Sequence, residues 1–477
     1  MKMITSIAWK NVWRNKARSL IVISAVTIGV FAGVFSMAAI NSSVVQRIDA
    51  AVNEELSHIQ VNNKDFRRSA DIQNIIADYQ GVVSALESTP GVTKTTGRII
   101  VRGIASTATK STGVEITGID VAGEKEIFTL HEKLIPETGN FFESDTKFNT
   151  AFIGEKLAKE LNIIRYIITP EAIAVLKNDG VPADVISKIE TLQGERFTSD
   201  KKFVKAYGKV LEKGDTEKYG WKIKEAAWSY REGSKIILTF LDIDDNQTGA
   251  AFRVSGIFRT NNDMFESTSL FVPADELRQL TGMKEGTFHR VIARLEKNDI
   301  TNEVTRAVRQ KLPDYEVLNW KEISPDLAMM ADFMNQIYSV FMVIILAALA
   351  FGIVNTMLMA VLERTRELGM LMAIGMNRKK IFVMIMLESI FLSIIGGFAG
   401  MGISETVIAI TGKTGINLVK YSEGMEAIGY SAYLFPTIDF QFFITTTILI
   451  VITGILSAIY PARKALKLNP VEAIRSE

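Results

Sequence analysis

The sequence predicts a membrane protein of four helical spans that carries a large α+β domain in one excursion between the first and second spans. Three observations lead there. Four apolar runs are each long enough to cross a hydrocarbon core of about 30 Å, which takes about 20 helical residues. A polar stretch with alternating strand and helix texture fills the interval between the first two runs. Basic residues gather at three places that alternate crossing puts on a single side.

Composition agrees. Hydrophobic residues make up 48% of the 477 and charged residues 22%, which fits neither a purely soluble chain nor spans joined only by short loops. A net charge of +1 gives no reason to expect a nucleic-acid partner. The absence of cysteine excludes disulfides, thiolate metal sites and a cysteine nucleophile.

Taken in order, residues 1–18 read as an elbow lying in the membrane interface. In "ITSIAWKNVWRNKARS", Ile4, Ile7, Ala8, Val12, Trp9 and Trp13 face one side and the bases the other, with the tryptophans at headgroup depth. The first span is Ser19–Ile40. Its length, and the helical sequence after Asn41-Ser42-Ser43, predict a retained anchor rather than a cleaved signal. The later spans are Phe333–Leu362, Ile381–Ile403 and Gln441–Tyr460.

Lys2, Lys10, Arg14, Lys16 and Arg18 precede the first span. Arg364, Arg366, Arg378, Lys379 and Lys380 lie between the second and third, and Arg463, Lys464, Lys467 and Arg475 follow the fourth. These mark the cytoplasmic side. Residues 41–332 and the loop 404–440 are then extracytoplasmic, and 363–380 and the tail 461–477 cytoplasmic.

Within 41–332, runs such as "GRIIVRGIAS", "GVEITGID", "SKIILTFLDI", "AAFRVSGIF" and "STSLFVP" read as strands. "ADIQNIIADYQGVVSALEST" and "ITNEVTRAVRQKL" read as helices. Between Ile164 and Glu232 the texture turns Lys/Glu-rich, helical and punctuated by glycine, which predicts a helical insertion in a β framework.

The loop "ERTRELGMLMAIGMNRKK" between the second and third spans sets Leu368, Leu371 and Met372 at i, i+3 and i+4, behind Glu363, Arg364, Arg366 and Glu367. That is a short amphipathic helix. A helix this short gains little alone, so the pattern requires something to pack against. A tight turn with snorkelling bases is the plainer alternative. Glu388 stands alone inside the third span, where an acid is costly and suggests a functional hinge or a hydrogen-bonded partner. Gly29-x-x-x-Gly33 and Gly396-x-x-x-Gly400 are close-packing signals.

"ERTRELGMLMAIGMNRKKIFVMIMLES" resembles the coupling-helix region of FtsX/MacB-type ABC transporter permeases. "YPARKALKLNPVEAIRSE" is similar to that family's ending, and "AWKNVWRNKARSLIVISAVTIGV" to its elbow and first span. "AFIGEKLAKELN", then "EGSKIILTF" and "FRVSGIF" after the insertion, resemble its extracytoplasmic domain. The resemblance implies a type VII ABC exporter-like architecture: a membrane half-transporter paired with a second permease, the same or a related chain, and docked on an ABC ATPase subunit dimer. It makes Glu363, Arg364, Arg366, Glu367, Leu368, Gly369 and Gly375 the ATPase-docking surface. Glu388 and the four glycines become hinge or packing elements of the spans. The stalks "SSVVQRIDAAVNEELSHI" and "KEISPDLAMMADFMNQIY" would carry ATP-driven motion outward.

Some members of the family carry the ATPase on the same chain. Here the nearest approach to a phosphate loop is "VIAITGKTG", which lacks its first glycine at Val407 and has no evident strand before it. The expectation is therefore no enzyme activity and no cofactor on this chain, with ATP and magnesium on a separate ATPase. His58, His131 and His289 form no metal-binding motif. The expected membrane is the bacterial inner membrane.

Among the family's tasks, the separate ATPase and "ELSHIQV" resemble lipoprotein-releasing permeases, and extraction of lipoproteins to a periplasmic carrier is the leading expectation. The elbow is more similar to the MacB-like efflux type, which exports peptides or small toxins through a periplasmic adaptor. Activation of a cell-wall hydrolase is a third task of the family. A membrane-anchored receptor or scaffold that activates a periplasmic partner is the rival from another class.

Overall fold

The computed structural model describes residues 2–142, 148–426, 429–438 and 440–466. The end of the tail, 467–477, and parts of the loop 404–440 lie outside the described residues. Two compact units emerge. One comprises residues 1–48, 326–422 and 431–477, and the other residues 49–325 with 423–430.

The first unit is helical. Among the described residues, four of its helices are long and apolar enough to cross a membrane. An elbow helix, Lys2–Arg14, stops at Asn15, and the first span helix runs Lys16–Ala50. Ser19 Oγ donates to the carbonyl of Val12 across the break, and Ala8 and Val12 are buried. Trp9 sets its ring edge-on to Phe391 of the third span, 5.5 Å between centroids. One face of the elbow thus packs on the bundle.

The second span helix is Pro325–Glu363, the third Arg378–Thr414 and the fourth Phe440–Leu466. Between the second and third lies a short helix, Thr365–Ala373. Gly375 ends that turn at φ +97°, and Asn377 Oδ1 caps the third span by accepting from Lys379 N at 2.9 Å.

The paired glycines of the first and third spans sit at helix contacts. A Cβ on Gly396 would lie 2.9 Å from the Ile23 carbonyl, and one on Gly400 2.7 Å from the Thr27 carbonyl, so the third span rests on the backbone of the first. Thr27 Oγ1 donates to Gly396 O at 3.1 Å. Gly29 and Gly33 face the side chains of Leu349 and Ile345 on the second span.

Among its described residues the second unit has twelve strands: β1 Ile59–Asn62, β2 Val92–Ser106, β3 Ser111–Ile119, β4 Thr150–Gly154, β5 Ile164–Ile167, β6 Arg196–Phe197, β7 Trp228–Tyr230, β8 Lys235–Leu241, β9 Gln247–Phe258, β10 Ser269–Pro273, β11 Arg290–Leu295 and β12 Glu316–Asn319. Nine form one sheet, ordered β12-β1-β11-β2-β3-β10-β4-β9-β8, and β8 also pairs with β2. The long strand β2 serves two bodies. Residues 92–98 pair with β11, completing a four-stranded antiparallel sheet β12-β1-β11-β2. Helices Tyr79–Glu87 and Thr301–Lys311 cover it over a core that includes Ile59, Val61, Leu86, Val304 and Val308. This is the split β-α-β order of a ferredoxin-like unit.

Residues 103–106 of β2 pair instead with β8, closing β2, β3, β10, β4, β9 and β8 into a ring around Ile116, Ile153, Leu238, Phe252 and Leu270. Gly103 marks the changeover, where a Cβ would stand 2.6 Å from the Thr239 carbonyl. Closure leaves that strand pair no free edge.

The segment 164–230 folds on its own three-stranded sheet, β6-β5-β7. Helices Pro170–Asn178, Ala183–Glu190, Asp200–Val210 and Lys213–Ala227 enclose a separate core of Leu176, Ile189, Phe203 and Ile223.

The helix predicted over "ADIQNIIADYQGVVSALEST" is shorter, beginning at Tyr79 behind an Asp78 cap. Its first part is turns, because Ile72 and Ile76 are drawn into the core and Ile76 N donates to Phe288 O at 2.8 Å.

Candidate functional site

The loop between the second and third spans folds inward as an ionic junction. The second span ends at Glu363, and Arg364 breaks the helix with φ −100° and ψ 15° before Thr365 restarts it. This kink turns the Arg364 guanidinium toward the third span. Its Nη1 donates to both carboxylate oxygens of Glu388, at 3.1 and 3.3 Å, and its Nε to Glu367 at 3.1 Å. Asn11 of the elbow donates to Glu388 at 2.6 Å. Arg14 binds Glu367, and Arg18 binds Glu363. The side chains of Arg364 and Glu388 are only 17% and 8% exposed, whereas the Arg14 pair stands in solvent. These groups, with Asn15, Lys16 and Ser19, line a cavity of about 570 Å³. The Arg14 guanidinium, helped by Arg364, holds the Glu367 carboxyl below the usual carboxylate range.

Of the two readings of Glu388, the structure has the hydrogen-bonded one: the kink returns Arg364, 24 residues away, to it. The predicted docking residues differ in exposure. Glu363 meets Arg18 of the first span helix and stays 46% exposed, Glu367 meets Arg14 of the elbow, Arg364 turns to the third span, and Leu368 and Gly369 are buried. Arg366 and Gly375 are exposed.

The free face of the short helix is Arg366, Met370, Ala373 and Ile374, spaced i, i+4, i+7 and i+8. Ile374 is 86% exposed, conspicuous for an isoleucine beside a buried helix face. Sequence reasoning missed Met370 and Ile374, although counting helical steps from Arg366 finds them. Nothing local in the sequence pairs Asn11, Arg14 and Arg18 with acids more than 340 residues away.

Gly412, Lys413 and Thr414 lie inside the last turn of the third span helix, so they form no phosphate-binding loop. No cluster of potential metal ligands occurs among the described residues. His289 is a buried hydrogen-bonding post: Nδ1 accepts from Ile100 N at 2.9 Å, and Nε2 lies 2.8 Å from Ile72 O. His58 is buried too; burial lowers its pKa to about 4, and Nδ1 accepts from Leu295 N at 3.3 Å. Both are core residues.

Residues 339–470 match the family described as FtsX-like permease C-terminal. The chain is 28% identical over 220 residues to "Uncharacterized ABC transporter permease YknZ" of Bacillus subtilis, covering 45% of this chain and 51% of that protein. It is 36% identical over 133 residues to "Macrolide export ATP-binding/permease protein MacB" of Chlorobium luteolum, covering 26% and 16%. The chain thus spans about half the length of the first curated relatives it matches. The solved extracellular domain of the noncanonic ABC-type transporter YknZ from Gram-positive bacteria aligns at 13% identity over 55% of this chain and 98% of that one. The TM-score of that alignment is 0.27.

Proposed function

We propose that this chain, an FtsX/MacB-type ABC permease by the domain at residues 339–470, relays ATP-driven motion from a separate ATPase to its strand-rich domain without itself hydrolysing ATP. The observation that supports this most is the ionic junction. Arg364 is bonded at once to Glu367 on the short helix and Glu388 on the third span, while Arg14 brings in the elbow and Arg18 the first span. A push on the exposed face of the short helix would reach four helices through short, partly buried bonds rather than be absorbed by a loop. In this reading Arg366, Met370 and Ile374 meet the ATPase, and a second permease completes the transporter. The strand-rich domain lies outside a bacterial inner membrane, as the basic residues indicate.

For the cargo, export of an amphiphilic small molecule or peptide through an adaptor is the first reading. Relatives carry the names macrolide export and pyoverdine export. Lipoprotein extraction is the second reading, and "ELSHIQV" speaks for it. Most of that stretch is buried, however, and its end is strand β1, a packing role that does not discriminate cargo. The test is reconstitution of the chain with its ATPase in proteoliposomes, comparing ATP turnover and cargo release with and without an Arg366→Glu substitution. Turnover by the chain alone, or no effect of the chain on the ATPase, would overturn the proposal.

A further inference from the structure

The third and fourth span helices touch closely along part of their length through small residues. Ser389 Oγ donates to Gly454 O at 3.2 Å. A Cβ on Gly454 would lie 2.7 Å from Ser393 Oγ, and one on Gly397 3.1 Å from Ile450. Beyond these contacts, toward Thr414, a groove of about 600 Å³ opens, lined chiefly by Phe398, Met401, Gly402, Glu405, Phe443 and Ile444. That volume is within the range of ligand pockets.

The four third-span residues follow the i, i+3, i+4, i+7 spacing of one helix face. Phe398 is 61% and Ile444 49% exposed. Gly402 is helical, with nothing within 4 Å of where its Cβ would stand. No contact among the described residues demands glycine there, and its effect is to leave the groove floor open. Glu405 is exposed at the groove's edge. At 1.5 Å per residue it stands about 36 Å along the helix from Ile381, just past a hydrocarbon core of about 30 Å. The carboxylate is therefore at headgroup depth and the apolar lining below it.

We propose that this groove holds an acyl chain of a phospholipid whose headgroup carries a primary ammonium, with that ammonium on Glu405. Apolar contact alone selects no lipid, since bulk chains offer the same contact. Selectivity has to come from the carboxylate, which makes a charge-assisted bond to an ammonium and repels an anionic headgroup. The inference rests on the membrane spans alone, so it stands or falls separately from the ATPase relay and the cargo.

The test equilibrates the full-length chain with nanodiscs of mixed phosphatidylethanolamine and phosphatidylglycerol and counts retained lipids by native mass spectrometry. The wild type should prefer phosphatidylethanolamine about tenfold, the effect of one charge-assisted bond. Glu405→Gln should keep a lipid but lose the preference. Gly402→Leu, which fills the groove, should lose one lipid of either type at unchanged thermal stability. Equal retention of both lipids by the wild type, or an undiminished lipid count in Gly402→Leu, overturns the proposal. Because the chain has no cysteine, Gly402→Cys also reports on a protein occupant. An oxidative crosslink between two copies would show that a second chain covers the groove, and that lipid does not.

Discussion

Arg364 and Glu388 are bonded at 3.1 and 3.3 Å across 24 residues, one at the kink that ends the second span helix and the other inside the third. Burial makes this pair consequential. An exposed ion pair contributes about 0–1 kcal/mol, but removing one member of a buried pair strands the other charge and costs about 3–5 kcal/mol. Arg364→Ala should therefore lower the thermal stability of the detergent-solubilised chain strongly. Replacing both members, Arg364→Met with Glu388→Leu, should be much milder, because no unpaired charge remains. Thermal melts of both variants check this; equal destabilisation would mean that the pair does not act as a unit.

Docking calls for residues that can change without disturbing the bundle. Glu367 is unsuited, since its reversal would break bonds to Arg14 and Arg364 and confound docking with folding. Ile374 is exposed, and its N–H donates to the Met370 carbonyl of its own short helix. Ile374→Ser should leave the melting temperature unchanged and weaken ATPase association about tenfold, as expected for an apolar anchor of about 1.4 kcal/mol. Pull-down titration against the ATPase reads both; unchanged affinity would move the docking surface elsewhere.

What the sequence made legible was whatever repeats or punctuates. Four apolar runs gave the spans, and alternation in "GRIIVRGIAS" and "AAFRVSGIF" gave β2 and β9. The change of texture at Ile164 gave the insertion. What it hid depends on chain reversal. No local pattern tells that Gly103 passes β2 from one body of its sheet to the other, nor that Arg14 of the elbow and Arg18 of the first span meet Glu367 and Glu363. The ion pairs of the docking helix were hidden for the same reason: of its charges Glu363, Arg364, Arg366 and Glu367, the first meets Arg18, the second Glu388 and the last Arg14, all out of sequence reach.

Two buried acids of the strand-rich domain should give it an uneven pH response. Burial raises Glu266 to about 7, against hydrogen bonds from Thr260, and nearby Glu155 adds to the rise. Below about 4.5 both folded and unfolded forms hold that proton; as pH rises to 7 the unfolded chain releases it and the folded chain does not. The stability it contributes is thus complete in acid and lost as pH rises through 7. Burial opposes the ionised form of Glu155 too, but bonds from Arg259, Tyr230 and Lys159 outweigh it and lower the pKa to about 2. Its contribution is present above the normal carboxylate value and lost only toward pH 2. Glu266→Gln, whose amide oxygen can still accept from Thr260, should stabilise the domain by about 1–3 kcal/mol at pH 8 and by little at pH 5. Melting curves at the two pH values decide it, and a gain equal at both would refute the assignment.

The insertion should be removable. Its core of Leu176, Ile189, Phe203 and Ile223 is separate from the ring's, and its two ends are neighbours: Ile164 pairs with Tyr230 across antiparallel strands. Opposed residues in such strands lie about 5 Å apart, so a short Gly/Ser turn can bridge them. Closing a shorter loop also costs less entropy, by about 0.6 kcal/mol per halving of length. The cut has to spare Tyr230, however, because its hydroxyl donates to the buried Glu155 and its ring belongs to the ring's core. Replacing residues 166–228 with a turn that keeps Arg165 and Ser229 as the closing pair should leave the domain folded and ATPase stimulation intact, while transport falls if the segment contacts partner or cargo. A second variant that also carries Tyr230→Phe should lose about 1–3 kcal/mol, the cost of one buried charged bond. Circular dichroism melts and transport assays on the pair separate the outcomes. Unfolding of the first variant would place the insertion within the framework's core, and undiminished transport would make it a decoration.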